Sequence, residues 1–293
     1  MNKVNNPYEK ALDGLVINDP VTSFFNFCKE REKIRLEREI GEEPPWSKDP
    51  IFQQGRFLNV FREDDRSSKA ILNFAKNLKE DLPTLIQALF FARWCNRQQT
   101  LDQISPAILS QPEELIKELK NLDPWSNTTA YPVGSVYWKG IEYSRLDTAT
   151  KLFKEIKESL SDIIVRSEGD VVNSTNEVNL LFKMQNNFPI FMAVMDVAWF
   201  RPDIIDPSSY VPTGIGAVAY LDRLQKYLKL DGHQQTFDKM IELQKEYWPE
   251  AKRGFHPIDI EYLSCECRKY YSYVNGTKLF EGKNSFRPKQ VLK

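Results

Sequence analysis

Three arginines recur within a short segment at the spacing of one helix face. The segment is PPWSKDPIFQQGRFLNVFREDDRSSK at 44–69. Steps of three and four residues place its polar side chains on one stripe, which comprises Arg56, Asn59, Arg62, Glu63 and Arg66. Asp65 follows Arg62 by three residues and could orient its guanidinium group. Clustered guanidinium groups repel one another unless they bind acids or an oxyanion such as phosphate. The pattern therefore indicates either an anion-binding surface or a surface helix with ordinary ion pairs.

Two acidic residues are candidates for proton transfer. Asp196 is the only ionisable residue in the apolar stretch FPIFMAVMDVAWF. A carboxylate in such a setting must be paired, or desolvation raises its pKa. Glu266 shares a predicted helix face with Lys269 and Tyr270, an arrangement that suits acid–base chemistry. The alternatives are an arginine-paired structural acid at Asp196 and an ordinary surface pair between Glu266 and Lys269.

Two further segments could bind a nucleic acid. In ALFFARWCNRQQTL at 88–101, Arg93 lies on a polar face opposite Phe90, Phe91 and Trp94, which are either core residues or a stacking platform. The second segment, VPTGIGAVAYLDRL at 211–224, begins with a turn that contains Gly214 and Gly216. Backbone N–H groups at such a helix start can hold a DNA phosphate. A plain junction between a loop and a helix would have the same pattern.

Metal and nucleotide cofactors are not expected. The chain has four cysteines and two histidines, without the spacing of a zinc site. The glycine-containing turn is not followed by the Gly-Lys-Ser/Thr of a P-loop, so we expect no nucleotide hydrolysis. A net charge of −1 argues against a histone-like protein but is compatible with a local basic face such as REKIRLER at 31–38.

The elements that position these residues are predicted to be almost entirely helical. Helical periodicity covers 19–40, 50–62, 67–79, 81–97, 112–120, 147–160, 175–184, 189–199, 214–228, 233–246 and 257–274. Only VGSVYWKGIEY at 133–143 reads as a hairpin. No low-complexity linker interrupts the chain. We therefore expect one all-α domain, with an N-terminal helical extension at 1–45 and the functional domain at 46–293.

The sequence predicts a protein of the cytoplasm. Its first residues, MNKVNNPYEK, lack the apolar core of a signal peptide. No apolar run reaches the roughly 18 residues that a membrane span requires.

Taken in order, these segments resemble a known family. The blocks are W-x-x-D-P-I-x-x-x-x-R-F-x-N-V-x-R-x-x-D-R from Trp46, F-x-R-W-x-N-R from Phe91, FMAVMD at 191–196, a G-x-G-A step from Gly214, and L-x-C-E-x-x-K-Y ending at Tyr270. Together they resemble the α-glutamyl/putrescinyl thymine pyrophosphorylase superfamily. They are also similar to the related helical domain found with 5-hydroxymethyluracil DNA kinases.

The resemblance implies a place in phage thymidine hypermodification, where a modified thymine protects viral DNA from host restriction. A kinase phosphorylates 5-hydroxymethyluracil in DNA, and a member of this superfamily then displaces the phosphate with an amine. The partners would be double-stranded DNA, a functionally coupled DNA kinase, and an amino acid or polyamine donor, glycine in first place. The implied setting is the host cytoplasm. The implied fold is distantly similar to helix-hairpin-helix DNA glycosylases.

The residues then take specific expected roles. Arg56, Arg62 and Arg66 would hold the leaving phosphate, and Asp196 or Glu266 would accept the proton of the amine. Lys269 or an arginine would hold the carboxylate of the donor, and Arg93 would contact the phosphate or the base. Asn59 would read the base, and Phe57, Trp94 or Tyr270 would stack on it once it has left the helix. The rival hypotheses are a non-catalytic helical module that binds DNA or a kinase, and a DNA glycosylase.

Overall fold

A computed structural model describes residues 19–128 and 133–274 of the chain. Fourteen α-helices are assigned there, several of them a single turn. They are α1 Pro20–Glu39, α2 Pro50–Gln54, α3 Arg66–Ala75, α4 Leu82–Cys95, α5 Gln98–Leu101, α6 Pro112–Asn121, α7 Arg145–Asp147, α8 Phe153–Glu155, α9 Lys157–Arg166, α10 Val171–Phe182, α11 Phe188–Phe200, α12 Ile215–Leu228, α13 His233–Tyr247 and α14 Pro257–Val274. Short 3-10 helices cover Arg62–Asp64 and Pro106–Ser110, and a π-helical segment covers Thr148–Leu152.

The predicted all-α fold is confirmed. Within the described residues, the only sheet is an antiparallel hairpin of β1 Val136–Trp138 and β2 Ile141–Tyr143. Its turn residues, Lys139 and Gly140, both have positive φ, at 48° and 78°. Such a turn matches the natural twist of a two-stranded hairpin, so the hairpin predicted from 133–143 is also confirmed.

Helix starts follow a repeated local pattern of aspartate and proline. Asp19 immediately precedes Pro20, the first residue of α1, and its carboxylate accepts the backbone N–H of Val21 at 2.8 Å. Asp81 does the same for Thr84 at 3.2 Å at the start of α4. A carboxylate at this position satisfies N–H groups that have no partner within the helix, and proline fits the first turn because it lacks that N–H.

The described residues form two compact units. The first combines the residues up to Arg62 with those from Val211 onwards, and the second is Glu63–Tyr210. In the first unit, α14 packs along α12, and α1 and α13 also pack on these helices. Its core contains a group of aromatic rings, with Phe25 stacked on Tyr247 at 5.0 Å and on Phe255 at 6.2 Å between ring centroids.

In the second unit, α4 is the central helix. Every residue from Leu85 to Cys95 is buried, including Gln87 and Arg93. α3, α9 and α11 pack against it. A helix that is buried on all sides loses the usual polar face, which explains its almost wholly apolar sequence.

The helix predicted at 50–62 is wrong beyond Gln54. The backbone turns extended at Gly55, with φ −75° and ψ 149°, and the chain has no helix again until Arg62. A Cβ atom at Gly55 would lie 2.5 Å from the carbonyl oxygen of Ile51 and 2.5 Å from the Phe57 ring. Glycine at this position allows Phe57 to fold back against α2.

The helix predicted at 147–160 is also interrupted. The chain passes through α7, the π-helical segment and α8, and the helix breaks at Ile156, with φ −108° and ψ 11°, before α9 begins. The domain boundary that we expected after residue 45 stays a prediction, and residues 1–18 of the expected extension lie outside the described residues.

Candidate functional site

An extended segment, Gly55–Phe61, lies against α14 in the first unit, and side chains satisfy much of its backbone. Lys269 Nζ donates to the carbonyl oxygen of Arg56 at 2.7 Å. The Glu266 carboxylate accepts the N–H of Leu58 at 3.1 Å. The Tyr262 hydroxyl donates to the carbonyl oxygen of Asn59 at 2.7 Å. Backbone groups outside helices and sheets need such partners when they are buried, so α14 fixes the path of the segment.

Glu266 and Lys269 are brought together, as predicted, on one face of α14. Their closest approach is 2.7 Å, and the Glu266 side chain is 6% exposed. Both groups also bind the extended segment, which makes them positioning residues in this arrangement. Their predicted contacts with an amine or its carboxylate stay predictions.

Asn59 is held by an arginine that the sequence analysis had treated as part of a basic surface. Arg31, on α1, donates to the Asn59 side-chain oxygen at 2.5 Å and to the carbonyl oxygen of Phe57 at 3.3 Å. Arg31 is buried, with 7% exposure. The side-chain oxygen of Asn59 is therefore engaged within the protein, and the predicted role of Asn59 in reading a base stays a prediction.

Tyr270 was expected to stack on a base, and its position in the structure corrects this expectation. The residue is 1% exposed and packs among Phe27, Phe52 and Phe57. Its hydroxyl donates to the Asp49 carboxylate, and burial together with the Asp49 charge raises the pKa of Tyr270. A ring enclosed in this way holds the turn that contains Asp49 and has no free face for a ligand.

Arg62 follows the extended segment, at the start of the 3-10 helix Arg62–Asp64, and is the buried arginine of the predicted stripe. It is 5% exposed, and its guanidinium lies 5.2 Å from the centroid of the Tyr262 ring. Arg56, by contrast, is exposed in the extended segment. Since 55–61 is not helical, the expected stripe of arginines on one helix face does not form.

Glu261 is a buried acid beside Arg62 that the sequence analysis missed. It is 7% exposed, and its Oε1 atom accepts the backbone N–H of Gly214 at 2.9 Å. Burial raises the pKa of Glu261 to about 7, against smaller opposing effects of the Gly214 N–H and the Arg62 charge. Such a value suits proton transfer near neutral pH. No local pattern marks Glu261, because its burial depends on the start of α12, 47 residues earlier in the chain.

Gly214 and Gly216 lie at the start of α12, as predicted, but they face α14. A Cβ atom at Gly214 would lie 3.0 Å from Glu261 Oε1, and one at Gly216 would lie 2.6 Å from Cys265 Sγ. The Gly214 N–H is already used by Glu261. These glycines thus permit close packing of α12 on α14, and a DNA contact through either of them stays a prediction.

In the second unit, Arg93 and Asp196 form a fully buried ion pair. Arg93 Nε and Nη2 donate to the two carboxylate oxygens at 2.7 and 2.6 Å, and both side chains are 0% exposed. This parallel arrangement is the strongest form of an arginine–carboxylate pair. The expected roles of Asp196 in proton transfer and of Arg93 in binding the phosphate or the base are corrected accordingly, because neither charge is open to a ligand in this structure. Trp94, expected as a stacking platform, is likewise 0% exposed and packs on Phe153.

Asp65 and Arg66 also belong to the second unit. Asp65 is buried at the position just before α3. Arg66 is exposed and donates to the side-chain oxygen of Gln98. Their predicted roles beside Arg62 stay predictions.

Neither a metal cluster nor a membrane-spanning helix is found in the described ranges 19–128 and 133–274. No group of three or more His, Cys, Asp or Glu side chains there could hold a metal ion. No helix there combines the length and the apolar character needed to cross a bilayer.

The fold and this geometry define an all-α protein in which α14 fixes an extended, arginine-containing segment beside a buried acid. The family model described as "5-hmdU DNA kinase, helical domain" matches residues 19–277. The chain therefore belongs to this family of helical domains, which connects it with thymidine hypermodification of DNA. The match spans both compact units. Comparisons with curated proteins and with solved structures give no match, so the expected likeness to helix-hairpin-helix glycosylases stays a prediction.

Proposed function

We propose that this protein transfers an amine to 5-phosphomethyl-2′-deoxyuridine in double-stranded phage DNA and displaces the phosphate. The donor is an amino acid, glycine in first place, or a polyamine. The product is a hypermodified thymidine that protects viral DNA from restriction in the host cytoplasm. The substrate would come from a kinase that phosphorylates 5-hydroxymethyluracil in DNA.

The observation that carries this proposal is the neighbouring placement of Arg62 and Glu261 in a member of this family. A buried guanidinium has few water competitors, so it can bind a phosphate oxyanion more strongly than an exposed one. Arg62 is held over Tyr262, and Tyr262 is itself bound to the extended segment. The guanidinium is thus pre-positioned, which favours stabilisation of negative charge as it develops on the leaving phosphate.

The reaction places two demands on the site. The C–O bond to phosphate must break with its electron pair on oxygen, leaving an electrophilic methylene conjugated with the uracil ring. The nitrogen of a neutral amine then forms the new C–N bond. Because the reacting carbon is inaccessible inside a stacked duplex, the nucleotide must leave the helix before it reacts.

Arg62→Ala and Arg62→Lys test the proposal in one assay. Duplex DNA that contains 5-phosphomethyl-2′-deoxyuridine is incubated with the protein and mixed amino acids, and the nucleosides are analysed by mass spectrometry. We expect the wild-type protein to form an aminated nucleoside and Arg62→Ala to lose about 100-fold or more of the rate. Arg62→Lys keeps the charge without the two-pronged geometry and should recover only part of the rate.

Arg166→Ala is the matched control, because Arg166 is exposed and its nearest acid is Glu177 at 3.3 Å. Its rate should equal that of the wild type. Full activity of a folded Arg62→Ala protein would contradict the assignment of Arg62 to the phosphate.

A second candidate function is a non-catalytic module that accompanies a DNA kinase. The matched family description, which names a domain of a kinase, favours it. This module would bind phosphomethylated DNA or the kinase without turnover in the same assay. A glycosylase would instead release the base and leave abasic sites.

A further inference from the structure

We infer that Glu261 is the proton acceptor of the transfer reaction, taking the proton from the donor's ammonium group and passing it to the departing phosphate. This inference rests on the proposed function and names a residue outside the sequence blocks that suggested it. It replaces Asp196 and Glu266, the two acids that the sequence favoured.

The three acids differ in what already occupies their oxygens. Both oxygens of Asp196 accept from Arg93 within a fully buried pair. Both oxygens of Glu266 accept from Lys269, and one also accepts from the N–H of Leu58. In each of these carboxylates, a cationic side chain already contacts both oxygens. Glu261 has a neutral N–H donor, Gly214, on Oε1.

The position of Glu261 suits a proton relay between amine and phosphate. Its neighbour Arg62 is close enough that the guanidinium charge acts on the carboxyl group. If Arg62 holds the phosphate, Glu261 lies beside the leaving oxygen. Gly214, which binds Glu261, is exposed at the start of α12. The Glu261 carboxyl group therefore contacts a residue, Gly214, that lies at the protein surface.

The proton balance is complete without any further reactant. The ammonium nitrogen gives one proton to the Glu261 carboxylate and becomes a nucleophilic amine. The amine electron pair forms the C–N bond, and the C–O electron pair leaves with the phosphate. Glu261 then gives its proton to the phosphate oxygen, which returns the carboxylate to its starting state.

The ionisable surroundings of Glu261 leave it able to titrate near neutrality. Burial is the main cause that raises the pKa of Glu261 to about 7, and the Arg62 charge opposes this effect. Cys265 and Arg268 lie within two turns on α14, and burial raises the pKa of Cys265 to about 11, so this thiol stays neutral near pH 7. The start of α12, residues 211–217, contributes no ionisable side chain.

The test compares the wild-type protein with Glu261→Gln, which keeps an oxygen acceptor for the Gly214 N–H. With glycine as donor, we expect the variant to lose about 100- to 10,000-fold of the transfer rate at pH 7. We also expect the wild-type rate to rise through about pH 7 and the variant to lack this inflection. Glu242→Gln is the control, because Glu242 is an exposed acid on α13 paired with Lys239.

A second donor separates a chemical role from a structural one. Methoxyamine is neutral at pH 7 and does not need a proton acceptor before it attacks. The deficit of Glu261→Gln should therefore shrink at least tenfold when methoxyamine replaces glycine. An equal deficit with both donors, or a rate equal to the wild type with glycine, would overturn the inference. If the wild-type protein forms no aminated nucleoside with either donor, the proposed function itself fails.

Discussion

At the scale of single residues, the buried charges differ in how they are compensated. Arg93 and Asp196 compensate each other completely, whereas Glu261 is buried beside an arginine and still has a pKa raised to about 7. The first arrangement is typical of structural pairs, and the second is typical of sites where protons move. Sequence alone showed that Asp196 lies in an apolar stretch, but it could not show that Arg93, about a hundred residues earlier, faces it.

The raised pKa of Glu261 predicts a specific dependence of stability on pH. A folded-state pKa above the unfolded value means that Glu261 favours the folded state fully below about pH 4.5 and loses this contribution as pH rises through about 7. Glutamine stays neutral throughout. Relative to the wild type, Glu261→Gln should therefore gain up to about 3 kcal/mol between pH 4.5 and pH 8.

Urea unfolding of both proteins at several pH values measures this difference. Glu242→Gln serves as the exposed comparison, and its difference from the wild type should stay constant with pH. Parallel pH profiles for Glu261→Gln and the wild type would show that Glu261 has an ordinary pKa in the folded protein.

The buried pair predicts a different result. Asp196→Ala leaves the Arg93 charge buried without its carboxylate and should cost about 3–5 kcal/mol of unfolding free energy. Replacing both residues with apolar ones of similar size, as in Arg93→Met with Asp196→Leu, should cost clearly less. Glu177→Ala, which removes an exposed partner of Arg166, should cost less than about 1 kcal/mol. Chemical denaturation measures the unfolding free energy of all three variants. If the Arg93→Met, Asp196→Leu double variant were as unstable as Asp196→Ala, the cost would not come from the unpaired Arg93 charge.

At the scale of elements, local signals predicted the ends of helices better than they predicted the extended segment. Asp81 caps the start of α4 with its side chain, and Asn96 ends the helix in a left-handed conformation with φ 46°. Both residue types are visible in the sequence. The segment after Gly55 has apolar residues at helical spacing, at Phe57, Val60 and Phe61. Its actual path depends on partners about two hundred residues later, Tyr262, Glu266 and Lys269, and no local pattern contains that information.

The dependence of this segment on α14 can be measured by hydrogen exchange. Glu266→Ala removes the acceptor of the Leu58 N–H, and a hydrogen bond to a charged group contributes about 1.5–3 kcal/mol. We expect exchange of the Leu58 amide to accelerate about 10- to 100-fold. Glu242→Ala should leave it unchanged, and unchanged exchange in Glu266→Ala would show that another contact fixes the segment.

The close packing of α12 on α14 gives a second prediction at this scale. A Cβ atom at Gly216 would lie 2.6 Å from Cys265 Sγ. Gly216→Ala should therefore cost about 1–2 kcal/mol, even though alanine favours helices. In a Cys265→Ala background, the same change should become neutral or stabilising.

The free energy of unfolding is measured by heat or urea for the wild type, Gly216→Ala, Cys265→Ala and the double variant. Gly254→Ala is the control, because no atom lies within 4 Å of a Cβ atom there. An equal cost of Gly216→Ala with and without Cys265 would contradict the contact.

At the scale of the whole molecule, composition and periodicity were sufficient for the all-α class and for most helices. The residues that motifs suggested as a single site fall in both compact units: Arg62, Glu266 and Lys269 in one, Arg66, Arg93 and Asp196 in the other. Motif order along the chain therefore indicated the related helical-domain family that the family model matches. It did not separate residues that hold the fold from residues that face a ligand. That separation required burial and hydrogen-bond partners.

The proposed transfer is tested most directly by following nitrogen and phosphorus in one reaction. Duplex DNA with ³²P in the phosphomethyl group is incubated with the protein and ¹⁵N-glycine, and released phosphate and labelled nucleoside are both quantified. We expect one ¹⁵N atom bound to the base for every phosphate released. Phosphate release without nitrogen incorporation, or no release from DNA that the protein binds, would contradict it.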